Sequence, residues 1–110
     1  MSRKLPLSLV LITLNAGPRL RDVLASVPFA DDIVVVDSGS NDETTSIAAE
    51  FGARIVQHGW AGFGPQKAYA VSLAKNDWVL CLDADETLST ALSRSIVQAF
   101  GETLPAYPVY

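Results

Sequence analysis

Apolar positions along this chain fall into short, nearly unbroken runs separated by longer stretches in which they recur every three or four residues. Leu7 to Leu14 is almost continuously apolar, as a central parallel strand covered on both faces should be. Asn15, Gly17 and Pro18 break that run. Leu20, Val23, Leu24 and Val27 then trace one face of a helix over 19–27, which Pro28 ends. A second strand is predicted over Asp32 to Asp37, where β-branched residues sit between two acids, and the turn Ser38-Gly39-Ser40 follows it. Ser40 and Glu43 have the spacing of a capping box, which predicts a helix running to about Phe51 with Gly52 at its C′ position. Beyond it the pattern predicts a third strand over Arg54 to Gln57, an irregular loop over His58 to Pro65 and a third helix over Gln66 to Ala74. A fourth strand over Trp78 to Leu82 and a fourth helix from about Ser89 to Phe100 complete the series.

Strands alternating with helices of this length imply an α/β fold of the Rossmann-like kind, a mostly parallel sheet flanked by helices and joined by right-handed crossovers. In such sheets ligands bind beyond the carboxyl ends of the strands. The residues placed there are Thr13 and Asn15 after the first strand, Asp37 to Ser40 after the second, and Asp83 to Glu86 after the fourth.

Composition narrows the field. The 110 residues are 49% hydrophobic and 18% charged with a net charge of −4, which describes one soluble globular domain. The acidic balance gives no footprint for nucleic acid, which needs clustered Lys and Arg against phosphates. A lone Cys81 inside an apolar run is read as a core thiol of a reducing compartment. Arg3 and Lys4 before Leu5 to Leu14 imitate a secretory signal, but a cut after Ala16 or Gly17 lacks the small-x-small pattern. No other apolar run approaches the roughly 20 residues of a membrane-spanning helix.

Asp83 and Asp85, at i and i+2 of an extended segment, point to one side of the sheet and repel unless something positive joins them. A hard divalent cation, Mg²⁺ or Mn²⁺, does this while keeping positions open for substrate phosphates. The alternative is a solvated turn favouring the positive end of the following helix. Asp37 suits hydrogen bonding to a base or ribose, or equally to the N–H groups of its own turn. Gly62-Phe63-Gly64 lacks the third glycine of a dinucleotide-binding loop, and Pro65 stands where a phosphate-binding loop has Lys. His58 reads as an ordinary strand-end residue. Trp60 and Phe63 either stack on a ligand's ring or anchor the loop to the core.

In this order the segments resemble the N-terminal half of family 2 glycosyltransferases, inverting enzymes of the GT-A fold. The resemblance runs from about Leu7 to Leu92. It rests on Leu11-Ile12-Thr13-Leu14-Asn15, on Ile33 to Asp42 around Asp37-Ser38-Gly39-Ser40, and on Trp78 to Glu86 around Asp83-Ala84-Asp85. With Trp60-Ala61-Gly62-Phe63-Gly64-Pro65-Gln66-Lys67 it looks most like the bacterial subgroup acting on the lipopolysaccharide inner core. The resemblance implies a nucleotide-sugar donor, most often a UDP-sugar. Thr13, Asn15, Asp37, Ser38, Lys67 and Asp83 would bind it, and Asp83 and Asp85 would hold Mn²⁺ or Mg²⁺. It further implies a saccharide or lipid-linked saccharide acceptor and work in the cytoplasm, at the inner face of the plasma membrane, without crossing it.

Glu43 stands where that family usually has glycine, Ala16-Gly17 replaces an acidic pair, and Ala68 replaces an Asn. The whole of 1–110 is expected to be the donor-binding part, because a complete enzyme of this fold is roughly twice as long. The acceptor half and the catalytic base are then expected beyond Tyr110. Tyr107 and Tyr110 make an apolar end suited to self-association. Two other classes remain open at this point: a receiver-like signalling domain, which would want paired acids after its first strand, and an inactive α/β interaction module.

Overall fold

Nine residues of β1 (Leu5–Thr13) are buried almost throughout, which only a strand with neighbours on both edges and helices on both faces can be. In the computed structural model, which describes residues 4–84 and 86–102, β1 pairs in parallel with β2 (Ala30–Asp37) and with β4 (Trp78–Cys81). β2 pairs in parallel with β3 (Arg54–Gln57), so the sheet order is β3-β2-β1-β4. Asp85 and the segment 103–110, with Tyr107 and Tyr110 of the expected self-association surface, lie outside the described residues.

Side chains alternate across the sheet. Leu7, Leu9 and Leu11 of β1 face α1 (Arg19–Ala25), α2 (Thr44–Glu50) and α4 (Thr90–Glu102) through Leu20, Val23, Leu24, Ile47, Ala48 and Ile96. Val10, Val34, Val36 and Val79 face the other way, against Ala70 and Tyr69 of α3 (Phe63–Ser72). The chain thus steps from β1 outward to β3 under α1 and α2, then returns across the opposite face through α3 to place β4 on the far side of β1. Right-handed crossovers in two opposed directions require helices on opposite faces. The strand order reverses between β1 and β4, and the crevice beyond their carboxyl ends is where such sheets bind ligands.

Two helix starts differ from the expected ones. The capping box does not form: the Ser40 hydroxyl donates to Asp37, and α2 begins at Thr44, whose N–H donates to Asp42 Oδ1 at 2.9 Å. A competing acid two residues before the helix, combined with the pull of Asp37 on Ser40, moves the N-cap by three positions, from Ser40 to Glu43. α3 begins at Phe63 within the stretch expected to be loop, because Pro65 is tolerated in a first turn where its missing N–H has no partner to lose. Gly52 does close α2 as expected: at φ 75° it lets its own N–H reach Ala49 O at 3.0 Å while Ala53 N–H reaches Ala48 O at 3.1 Å, a Schellman motif.

At the amino-terminal edge of the sheet, buried Asp32 accepts from Ser8 Oγ at 2.7 Å, from Arg54 Nε at 3.1 Å and Nη2 at 3.0 Å, and from Lys75 N–H at 2.8 Å. This one carboxylate ties β1, β3 and the α3–β4 connection to β2, far from the strand ends that carry candidate chemistry.

Candidate functional site

A cleft of about 1160 Å³ opens at the reversal point, walled by three segments: Ile12 to Arg19, Trp60 with Phe63 and Lys67, and Asp83 with Ala84. Four of the six expected donor-binding residues, Thr13, Asn15, Lys67 and Asp83, line it together. Asp37 and Ser38 do not line it; they are bonded to Thr13 from the end of the adjoining strand. Asp85, the second expected metal ligand, is outside the described residues.

The wall from Thr13 to Arg19 owes its shape to two left-handed residues. Asn15 sits at φ 50°, a conformation that asparagine adopts more readily than most residues, and Gly17 at φ 65°. Asn15 N–H donates to Ser40 Oγ at 2.8 Å, Asn15 Oδ1 accepts from Asn41 N–H at 2.7 Å, and Gly17 N–H donates to Thr44 Oγ1 at 3.2 Å. The turns after β1 and β2 are therefore laced together, and the cleft inherits their rigidity.

Asp37 is the centre of that lacing. Fully buried, its Oδ1 accepts from Thr13 Oγ1 at 2.7 Å and Ser40 Oγ at 2.5 Å, and its Oδ2 from the N–H groups of Gly39 at 3.0 Å and Ser40 at 2.8 Å. Burial pushes its carboxyl up, but the bonds from Ser40, Thr13 and Gly39 together outweigh that and hold it below the ordinary value of 3.8. At Asp32 burial is likewise outweighed, by the Lys75 N–H, Ser8 and Arg54. Both acids thus contribute stability that is complete above their ordinary value and is lost as pH falls through it toward the lower folded values. Urea midpoints are expected to hold from about pH 7 to about pH 5 and to fall steeply below about pH 4. Midpoints independent of pH over that lower interval would contradict the assignment.

Across the cleft, Lys67 Nζ of α3 lies 3.2 Å from Asp83 Oδ1 beyond β4, both side chains about half exposed. Among the described residues Asp83 is the one acid on the cleft wall, and no three His, Cys, Asp or Glu side chains gather. One carboxylate with substrate phosphates and water is a donor set that Mg²⁺ and Mn²⁺ accept, so the residues present fit such an ion. Trp60 and Phe63 are not anchored in the core. They meet edge to face at 4.9 Å and remain 53% and 71% exposed on the cleft wall. Cys81 is half-buried and burial pushes its thiol up, which suits a packing role.

One residue of this region gives no signal of its own in the sequence. Gln66, in the first turn of α3, is fully buried and bonds Ser38 Oγ at 3.1 Å, His58 O at 3.1 Å and His58 Nδ1 at 3.0 Å. His58 also stacks on Tyr69, ring centroids 4.2 Å apart.

The family model described as Glycosyl transferase family 2 matches residues 8–109. An uncharacterized glycosyltransferase of Rickettsia bellii is 42% identical over 95 residues, covering 86% of this chain and 32% of its own length. The lipopolysaccharide core biosynthesis glycosyltransferase LpsC of Rhizobium meliloti is 36% identical over 97 residues, covering 84% of this chain and 36% of its own. Among solved structures, glucosyl-3-phosphoglycerate synthase from Mycobacterium tuberculosis in complex with Mn²⁺, UDP and glucosyl-3-phosphoglycerate superposes with a TM-score of 0.62 at 26% identity. That match covers 77% of this chain and 36% of the synthase. The chain spans about a third of the length of the curated relatives it matches.

Proposed function

This chain belongs to glycosyl transferase family 2, and on that premise we propose that it is the donor-binding part of an enzyme moving a sugar from a nucleoside diphosphate to a saccharide acceptor. The observation that carries the reading is the cleft at the reversal between β1 and β4, where Lys67 and Asp83 face each other beside Thr13 and Asn15. A UDP-sugar fits this arrangement. Thr13 and Asn15, braced by Asp37 and Ser38, hold the nucleoside end, and Lys67 meets the diphosphate. Asp83, with Asp85, holds Mn²⁺ or Mg²⁺, an ion that would neutralise charge gathering on the departing diphosphate. The similarity to a synthase whose structure contains both UDP and Mn²⁺ supports this choice.

Asn15 and Gly17 keep the turn after β1 open toward the cleft, so a ligand's ring and phosphates can enter without displacing backbone. A single in-line displacement would invert the anomeric carbon, with the base that takes the acceptor's proton assigned to sequence beyond Tyr110. The similarity to LpsC supports an acceptor in lipopolysaccharide or another envelope polysaccharide, reached from the cytoplasmic face of the membrane. No helix among the described residues is long and apolar enough to cross a membrane. Calorimetric titration of UDP into this chain is expected to show binding that strengthens at least about tenfold when Mn²⁺ is added. A folded sample that binds no UDP, whether Mn²⁺ or Mg²⁺ is present or absent, would sink the reading.

A further inference from the structure

We propose that Gln66 is a positioning residue of the cleft, one that sets where Lys67 stands by locking the first turn of α3 onto the ends of β2 and β3. The proposal rests on the donor-binding reading above. Gln66 is fully buried, yet it lies one residue before the cleft-lining Lys67 and three after the cleft-lining Phe63. Its N–H is the first in α3 to bond within the helix, to Gly62 O at 3.0 Å, and no side chain caps that helix start. What fixes the turn is therefore the Gln66 side chain.

The polarity of its bonds follows from the chemistry of each partner. His58 O is a carbonyl and only accepts, so the Gln66 amide nitrogen must face it, and the same nitrogen gives its second proton to Ser38 Oγ. The amide oxygen then faces His58 Nδ1 and can only accept. His58 must therefore carry a proton on Nδ1, and in the neutral ring Nε2 is then the bare nitrogen. Both partners connect onward to the site: Ser38 N–H donates to Thr13 O at 3.0 Å and His58 N–H donates to Asp37 O at 2.9 Å. One amide thus registers the helix that carries Lys67 against the strand ends that carry Thr13 and Asp37. Without it, the first turn of α3 can rotate on its flexible glycine entry, and Lys67 loses its fixed distance to Asp83.

Because His58 is the chain's single histidine, its ring nitrogens give an unambiguous long-range ¹H–¹⁵N spectrum. The wild-type chain is expected to show a neutral His58 predominantly protonated on Nδ1. Gln66→Met, which keeps the length and removes the bonds, is expected to shift His58 toward the Nε2–H form and to raise the UDP dissociation constant about tenfold with Mn²⁺ present. Should Gln66→Met not fold, the wild-type tautomer still decides: a predominant Nε2–H form overturns the bonding scheme and the proposal with it. A tautomer shift with UDP affinity unchanged within about twofold overturns the positioning role while leaving the donor site standing. Wild-type protein that binds no UDP overturns both.

Discussion

Asp37→Ala is expected to lower the stability of this chain by about 3 kcal/mol, roughly a hundredfold in the ratio of folded to unfolded molecules. The carboxylate is buried and accepts four hydrogen bonds, two on each oxygen. Alanine leaves the Thr13 hydroxyl, which is buried, without its acceptor, while Gly39 and Ser40 lie nearer the surface and regain water. That partial recovery is why the figure is about 3 and not the sum of four losses. Asp37→Asn is expected to fall between, since one amide oxygen can replace one carboxylate oxygen but its NH₂ must then face donors. Equilibrium urea unfolding at neutral pH measures both, and a loss below about 1 kcal/mol for alanine would show that the turn holds without Asp37. The damage should reach the cleft, because Ser40 accepts from Asn15 and Asn41 donates to it.

The same residues show which parts of this molecule could be read without coordinates. Leu7 to Leu14 announces a central strand because burial on both faces leaves no polar position to set a period. Strand ends then locate Thr13, Asn15, Asp37 and Asp83 within a few residues, since the right-handed rule leaves few ways to order four parallel strands, while Lys67, inside α3, is implied by the family resemblance alone. Local competition was harder to read. Ser40, Asp42, Glu43 and Thr44 all have capping chemistry, and the choice among them turns on Asp37, whose grip on Ser40 depends on the turn that β2 makes after pairing with β1. Gly-Phe-Gly-Pro reads as a breaker, yet a proline at the third helical position costs nothing there. Gln66 and Asp32 are ordinary polar residues until the sheet order is known. Their burial is a property of what β3 and β4 lie beside, and no window of sequence contains both partners.

Asp83→Ala is expected to abolish the gain in UDP affinity that Mn²⁺ brings, about tenfold or more, while leaving folding almost unchanged. The side chain is 56% exposed and its carboxylate is paired with Lys67, itself 45% exposed. A pair that wet contributes at most about 1 kcal/mol to stability, so urea midpoints of the variant and the wild type should nearly coincide. Binding depends on the same oxygens in a different way. On the proposed reading the diphosphate and its cation arrive with opposite charges, and the described part of the cleft wall meets them with one carboxylate and one ammonium. Lys67 held by Asp83 must let go for either to be received, so the two side chains act on donor binding as a unit. Lys67→Ala alone is therefore expected to cost about tenfold, and the double variant scarcely more than Asp83→Ala by itself. Strict additivity of the two losses in calorimetric titrations would mean that each residue meets the ligand independently. The observed ion pair would then be a surface contact with no part in how either side chain receives the donor.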